Sequence, residues 1–77
     1  MDYQSLENFI KNELLYLPKS QVLTKDVSLL ALGLDSLKMF RLMVFIEENY
    51  NINIPDNMVT PSAFSSIRSI INLLESL

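Results

Sequence analysis

Ser36 is the side chain of this sequence best placed to do chemistry. It stands beside Asp35 in the run Gly33-Leu34-Asp35-Ser36-Leu37, near mid-chain. A serine hydroxyl becomes a catalytic nucleophile when a neighbouring base takes its proton and an oxyanion hole stabilises the charge that develops. The chain has no histidine to act as that base and no cysteine to act as a nucleophile instead. The same absences remove the commonest metal ligand, a zinc site built on thiolates and disulfide stapling, so a self-sufficient enzyme is not expected. An aspartate and a serine at a helix start also have an everyday use, because both cap free backbone amides. What surrounds the pair decides between these readings.

The elements around it read as helices. From Tyr3 to Tyr16, Leu6, Phe9, Ile10, Leu14 and Leu17 keep helical spacing, with Glu7, Asn8, Lys11, Asn12 and Glu13 opposite, and Pro18 is expected to end the helix. Lys19 to Leu34 carries Val22, Leu23, Val27, Leu29, Leu30, Leu32 and Leu34 without a sustained period, which predicts a long loop with one helical turn, pinned to the core. Loops of this length are uncommon in compact domains and are often functional. Gly33, the sole glycine, marks a backbone position of positive φ or close approach. Asp35 is the expected N-cap of helix two, and Ser36 its first residue, hydroxyl outward.

Helix two, Ser36 to about Asn49, is apolar on several sides. Met39, Leu42, Met43, Ile46 and Tyr50 make one stripe, Leu37, Phe40 and Val44 another, and Phe45 points in a third direction. A domain this small cannot bury all of them, so part of the helix should face a partner, with Leu37 exposed. Asn51 to Asn57 reads as a turn-rich link with Ile52-Asn53-Ile54-Pro55 extended. Thr60 and Pro61 predict a short helix holding Ala63 and Phe64. Ser65 or Ser66 caps a last helix in which Ile67, Ile70, Ile71 and Leu74 face inward and Arg68, Ser69, Asn72 and Glu75 outward. The pattern is all-α, three good helices plus one short one.

Seventy-seven residues suit one small domain, residues 1–77, with a single working surface rather than an extended pocket. Nine acidic against six basic residues give a net charge of −3, which argues against nucleic-acid binding. Met1-Asp2-Tyr3-Gln4 carries no basic leader or apolar targeting run, and no apolar stretch approaches membrane-spanning length. The expectation is a cytoplasmic protein with no membrane partner.

The motif Gly-x-Asp-Ser-Leu, standing as Gly33-Leu34-Asp35-Ser36-Leu37 after Leu32, resembles the attachment site of the phosphopantetheine-dependent carrier proteins, the acyl carrier and peptidyl carrier family. The order of helix, long loop, motif, helix, Ile-Pro link and closing helices is similar over nearly the whole chain. The resemblance implies a four-helix bundle of the acyl-carrier type, with three longer helices, one short helix and the long loop between helices one and two. It also implies a monomeric, non-catalytic carrier whose Ser36 accepts a 4′-phosphopantetheine arm from coenzyme A through a phosphopantetheinyl transferase, with Gly33 and Asp35 framing the site. A phosphodiester there would lie at a helix N-terminus, where free amides and the helix dipole favour an anion. The thiol of the arm would supply the sulfur that the cysteine-free chain lacks, holding an acyl or aminoacyl group as a thioester.

The partners implied are the transferase, a loading ligase or acyltransferase, and downstream biosynthetic enzymes. Docking is expected at Leu37, Lys38, Phe40, Arg41, Val44, Glu47 and Glu48. Carriers of bacterial fatty-acid synthesis have a markedly acidic second helix, whereas Lys38 and Arg41 open this one. That departure points instead to a freestanding carrier of a dedicated pathway of the aminoacyl, peptidyl or polyketide kind. The alternatives are a fatty-acid carrier, or an unmodified helical interaction module of the same fold, which has no need of the intact Asp35-Ser36 pair.

Overall fold

A computed structural model describes residues 3–77. Met1 and Asp2, part of the stretch read as lacking a leader, lie outside the described residues. Three helices form the framework: α1 (Gln4–Asn8), which continues as a π-helical stretch (Phe9–Leu14), α2 (Ser36–Tyr50) and α3 (Ile67–Glu75). A single 3-10 turn spans Asp56–Met58, and no strand occurs among the described residues. The core is aliphatic, with Leu6, Ile10, Leu14, Leu29, Leu42, Ile46, Ile67 and Ile70 sealed from solvent around Phe64.

The first helix departs from its expected form. It was expected to run regularly to Tyr16 and stop at Pro18, yet it widens at Phe9 and ends at Leu14. The Leu15 N–H donates to the Ile10 carbonyl at 2.9 Å, skipping five residues rather than four. The buried residues explain the widening. Leu6, Ile10 and Leu14 are spaced by four, and in an α-helix each such step drifts about 40° around the axis. Wider winding takes out part of that drift and keeps all three on the core side. The chain then leaves through Tyr16, whose φ of 51° turns it away before Pro18 is reached. The widened stretch lies against α2, where the Phe9 and Phe45 rings stack with centroids 4.0 Å apart and planes 11° from parallel. Phe45, the third direction of α2, is thereby satisfied.

The long loop is tied down at its second half. Leu29 is fully buried and Leu34 nearly so, whereas Val22 and Leu30 are exposed rather than pinning the loop. Between the two anchors the chain makes one tight helix-like excursion, closed by the Leu34 N–H donating to the Leu29 carbonyl at 2.9 Å. Two backbone bonds hold the loop to the start of α3: the Leu29 N–H to the Ser65 carbonyl and the Arg68 N–H to the Lys25 carbonyl, each 2.9 Å. Arg68 adds a forked bond to the Asp26 carboxylate. The guanidinium holds that carboxyl below the usual carboxylate range, but both side chains are in water, where such pairs contribute little to stability.

The expected fourth helix is absent. Thr60 behaves as its cap, with Oγ1 accepting from the Ala63 N–H at 3.2 Å, and the Phe64 N–H closes one turn onto the Thr60 carbonyl at 3.2 Å. The turn goes no further because Ser66 is already extended (φ −154°, ψ 165°), its Oγ accepting from the Ser69 N–H to cap α3. A segment caught between two caps this close has no length over which a helix can propagate. The described chain is therefore a three-helix arrangement with turns at 61–64. In α3, Ile67, Ile70 and Leu74 point inward as expected and Leu73 joins them, while Ile71 is half-buried.

The link after α2 is extended through Ile52–Pro55 and held by Glu47. Its Oε2 accepts from the Ile54 N–H at 2.9 Å in a part-buried setting, and Ile54 itself is 3% exposed. A bond to a charged acceptor contributes more than a neutral one, and losing it leaves a poorly solvated amide. Glu47→Ala is expected to lower unfolding stability by about 1–2 kcal/mol in urea titrations. The neighbouring Glu48→Ala should change it by less than about 0.5 kcal/mol, as for an ordinary surface position.

Candidate functional site

The chain approaches α2 through Gly33, whose φ is +112°. A Cβ added there would meet no atom within 4 Å, so glycine is required by backbone conformation and not by crowding. Gly33→Ala should therefore cost about 1 kcal/mol or more through strain alone. The check is a thermal melt that drops while the helical circular dichroism keeps its shape. Leu34 then anchors in the core, and Asp35 is extended (φ −130°, ψ −177°), with Oδ1 accepting from the Lys38 N–H at 2.9 Å. Its carboxylate faces the helix end, so it acts as cap and fixes the start of α2.

Ser36 is the first residue of α2 and is exposed. The first amides of a helix have no intrahelical acceptor, which leaves the N–H groups of Ser36 and Leu37 available to a group on the Ser36 oxygen. The Lys38 N–H is taken by Asp35, and the Met39 N–H by the Asp35 carbonyl at 2.8 Å. A phosphodiester on this hydroxyl fits: the side chain has room, the dipole of a 15-residue helix points its positive end there, and the cations Lys38 and Arg41 lie within the next two turns. The Asp35 charge opposes an anion, and its commitment to the cap limits that opposition. No group of three or more His, Cys, Asp or Glu that could hold a metal ion exists among the described residues, and none of their helices is long and apolar enough to cross a membrane.

The expected docking set divides on inspection. Leu37 is 71% and Phe40 57% exposed, large apolar surfaces in the first two turns below Ser36. Arg41 and Glu48 are exposed, and Lys38 and Val44 half-buried, so all six are accessible to a partner. Glu47 is half-buried like Lys38 and Val44, and its carboxylate accepts from the Ile54 N–H, so it also holds the link after α2. What sequence reasoning missed is a groove of about 380 Å³ between the π-helical stretch and α2. It is lined by Phe9, Phe40, Arg41, Val44, Phe45, Glu48 and Asn49. Phe9, expected in the core stripe of helix one, packs partly on the core and also forms one wall of the groove. The signal was faint: Phe45 alone had no place in a stripe of helix two.

Residues 5–74 match the family model described as "Phosphopantetheine attachment site". A 45-residue stretch is 40% identical to an aminoacyl carrier protein of Agrobacterium fabrum, strain C58; the stretch is 58% of this chain and spans about half, 54%, of that relative's length. The fold is similar to a chain in the crystal structure of Bradyrhizobium japonicum glycine:[carrier protein] ligase complexed with glycylated carrier protein (TM-score 0.70, 23% identity, covering 90% of this chain and 88% of that one). It is also similar to a chain in the structure of that ligase complexed with its cognate carrier protein and an analogue of glycyl adenylate (TM-score 0.75, 22% identity, covering 95% and 90%). A family match that takes in α1, the loop, the Gly33–Leu37 turn, α2 and most of α3 leaves one assignment: the chain belongs to the phosphopantetheine attachment site family and is a phosphopantetheine-dependent carrier protein.

Proposed function

We propose that Ser36 is the attachment residue, and that the chain carries aminoacyl groups between a loading ligase and the enzymes that consume them. The observation that carries this reading is the exposed Ser36 hydroxyl at the capped N-terminus of α2, in a chain of this family. When bound, the 4′-phosphopantetheine arm supplies the thiol on which cargo is held as a thioester. The protein presents that group. Gly33 turns the chain, Leu34 fastens it to the core, Asp35 caps the helix, and the free amides of Ser36 and Leu37 face the phosphodiester.

Partner enzymes meet Leu37 and Phe40 as apolar anchors, with Lys38 and Arg41 setting charge specificity. The aminoacyl class is supported by the identity to an aminoacyl carrier protein and by the shape shared with chains in ligase complexes. Dependence on coenzyme A for the arm and on an activating ligase for the cargo suits the cytoplasm and a dedicated biosynthetic pathway.

The test is loading of the transferase-modified protein by an amino-acid:carrier ligase with ATP and radiolabelled amino acids. Label released by neutral hydroxylamine, as a thioester is, is the expected result. Loading by fatty acyl donors alone, with every amino acid refused, would overturn the aminoacyl assignment.

A further inference from the structure

We propose that the groove beside α2 is a resting site for the loaded arm, in which the ammonium of an aminoacyl cargo binds the Glu48 carboxylate. This rests on Ser36 being the attachment residue and deepens that reading.

Geometry supplies the first support. Ser36, Phe40, Val44 and Glu48 are spaced by four and form one ridge of α2, running slantwise from the attachment point along the groove. With ~1.5 Å rise per residue on a row inclined ~26°, Val44 lies about 13 Å and Glu48 about 20 Å from Ser36. From phosphorus to sulfur the arm extends about 15 Å, at roughly 3.5 Å per three bonds. The serine side chain and an aminoacyl group add the rest, so an extended arm sets the thioester between Val44 and Glu48 and the amine at Glu48.

Size and charge supply the second. A volume of about 380 Å³ is in the range of a small-molecule site. Its middle is walled by Phe9, Phe40, Val44 and Phe45, which suits the gem-dimethyl and methylene parts of the arm. The far end carries Glu48 and Asn49. Glu48 has no ion-pair partner among the described residues, and Asn49 spends its Nδ2 on the Phe45 carbonyl at 2.9 Å, which leaves its Oδ1 as a second acceptor. The near half carries Arg41, suited to the phosphodiester or the first amide carbonyl. Because the occupant is tethered one turn above the entrance, its effective concentration there is in the millimolar range, and weak contacts suffice.

The experiment is nuclear magnetic resonance of the protein in three forms: unmodified, carrying an arm that ends in an amide-linked glycyl group, and carrying the isosteric propionyl arm. Intact mass first establishes that each arm is on Ser36; no added mass would refute the attachment reading itself, before any question about the groove. With mass confirmed, the glycyl arm is expected to shift the Phe9, Phe40, Val44 and Phe45 resonances and the Glu48 side chain, and the propionyl arm to shift them less. Glu48→Gln should reduce the docked-to-free ratio of the glycyl arm about two- to fivefold, the worth of an exposed ion pair, and leave the propionyl arm unchanged. Phe40→Ala, at an exposed position, should weaken both. Shifts confined to residues 33–38 would overturn the proposal, as would groove shifts equal for the two arms and indifferent to Glu48→Gln.

Discussion

Ser36→Ala protein, incubated with coenzyme A and a broad-specificity phosphopantetheinyl transferase, stays at its starting mass, while the wild-type chain gains one arm. The result is informative because the substitution removes the hydroxyl and little else. The cap of α2 is the Asp35 carboxylate bonded to the Lys38 N–H, and Ser36 makes no part of it. Alanine has a higher helix propensity than serine, so stability should move by no more than about 0.5 kcal/mol, and the circular dichroism and melting point should match the wild type. Asp35→Ala is the complementary variant. It keeps the hydroxyl and loses the cap, at about 1 kcal/mol, so modification should slow without vanishing.

The hydroxyls just before α3 are engaged: Ser66 Oγ accepts from the Ser69 N–H, Ser65 Oγ donates to the Ser62 carbonyl at 2.9 Å, and Thr60 Oγ1 accepts from the Ala63 N–H. Equal mass gain by Ser36→Ala would show that one of these, or another hydroxyl, takes the arm, and the assignment of Ser36 would be lost.

The contrast between Ser36 and its surroundings shows which parts of the structure were legible in the sequence. Gly33, Asp35 and Ser36 were read correctly in conformation because their chemistry is local. A lone glycine before a helix takes positive φ, an aspartate caps, and the residue after it begins the helix, whatever the rest of the fold does. Stripes of buried residues were legible too, since Leu42, Ile46, Ile67 and Ile70 follow the helical period. Features set by contacts distant in sequence were not legible. The π winding follows from where Leu6, Ile10 and Leu14 must point, and the groove wall that Phe9 forms depends on Phe45, distant in sequence, stacking on it. Glu47 reads as one more surface acid until the returning chain brings the Ile54 amide to it. The missing fourth helix is a different kind of failure: Thr60 was a cap as expected, but the cap of the next helix came before any length could form.

The second large effect lies in that same short turn. Phe64 is fully buried and the largest side chain sealed in the core, yet it is held by one turn of chain rather than a helix. Phe64→Ala should cost about 3–5 kcal/mol, from lost burial and the cavity left behind. A domain of this length has a total stability of roughly 4–12 kcal/mol, at 0.05–0.15 kcal/mol per residue. The variant should therefore melt about 12–40 °C lower by circular dichroism, taking 4–8 °C per kcal/mol for small domains, or be substantially unfolded at 25 °C. Phe64→Leu, which keeps most of the volume, should lose less than about 1.5 kcal/mol and stay folded.

The loss should reach the attachment site, because the turn that carries Phe64 ends at Ser65, whose carbonyl accepts from the Leu29 N–H, and the Leu29 carbonyl in turn accepts from Leu34 just before Asp35. Loosening Phe64 releases the loop that delivers Ser36, so transferase-dependent mass gain by Phe64→Ala should fall on warming at or below the temperature at which the helical signal falls. A melting point within a few degrees of the wild type would mean that the turn at 61–64 is not the wedge on which the core closes.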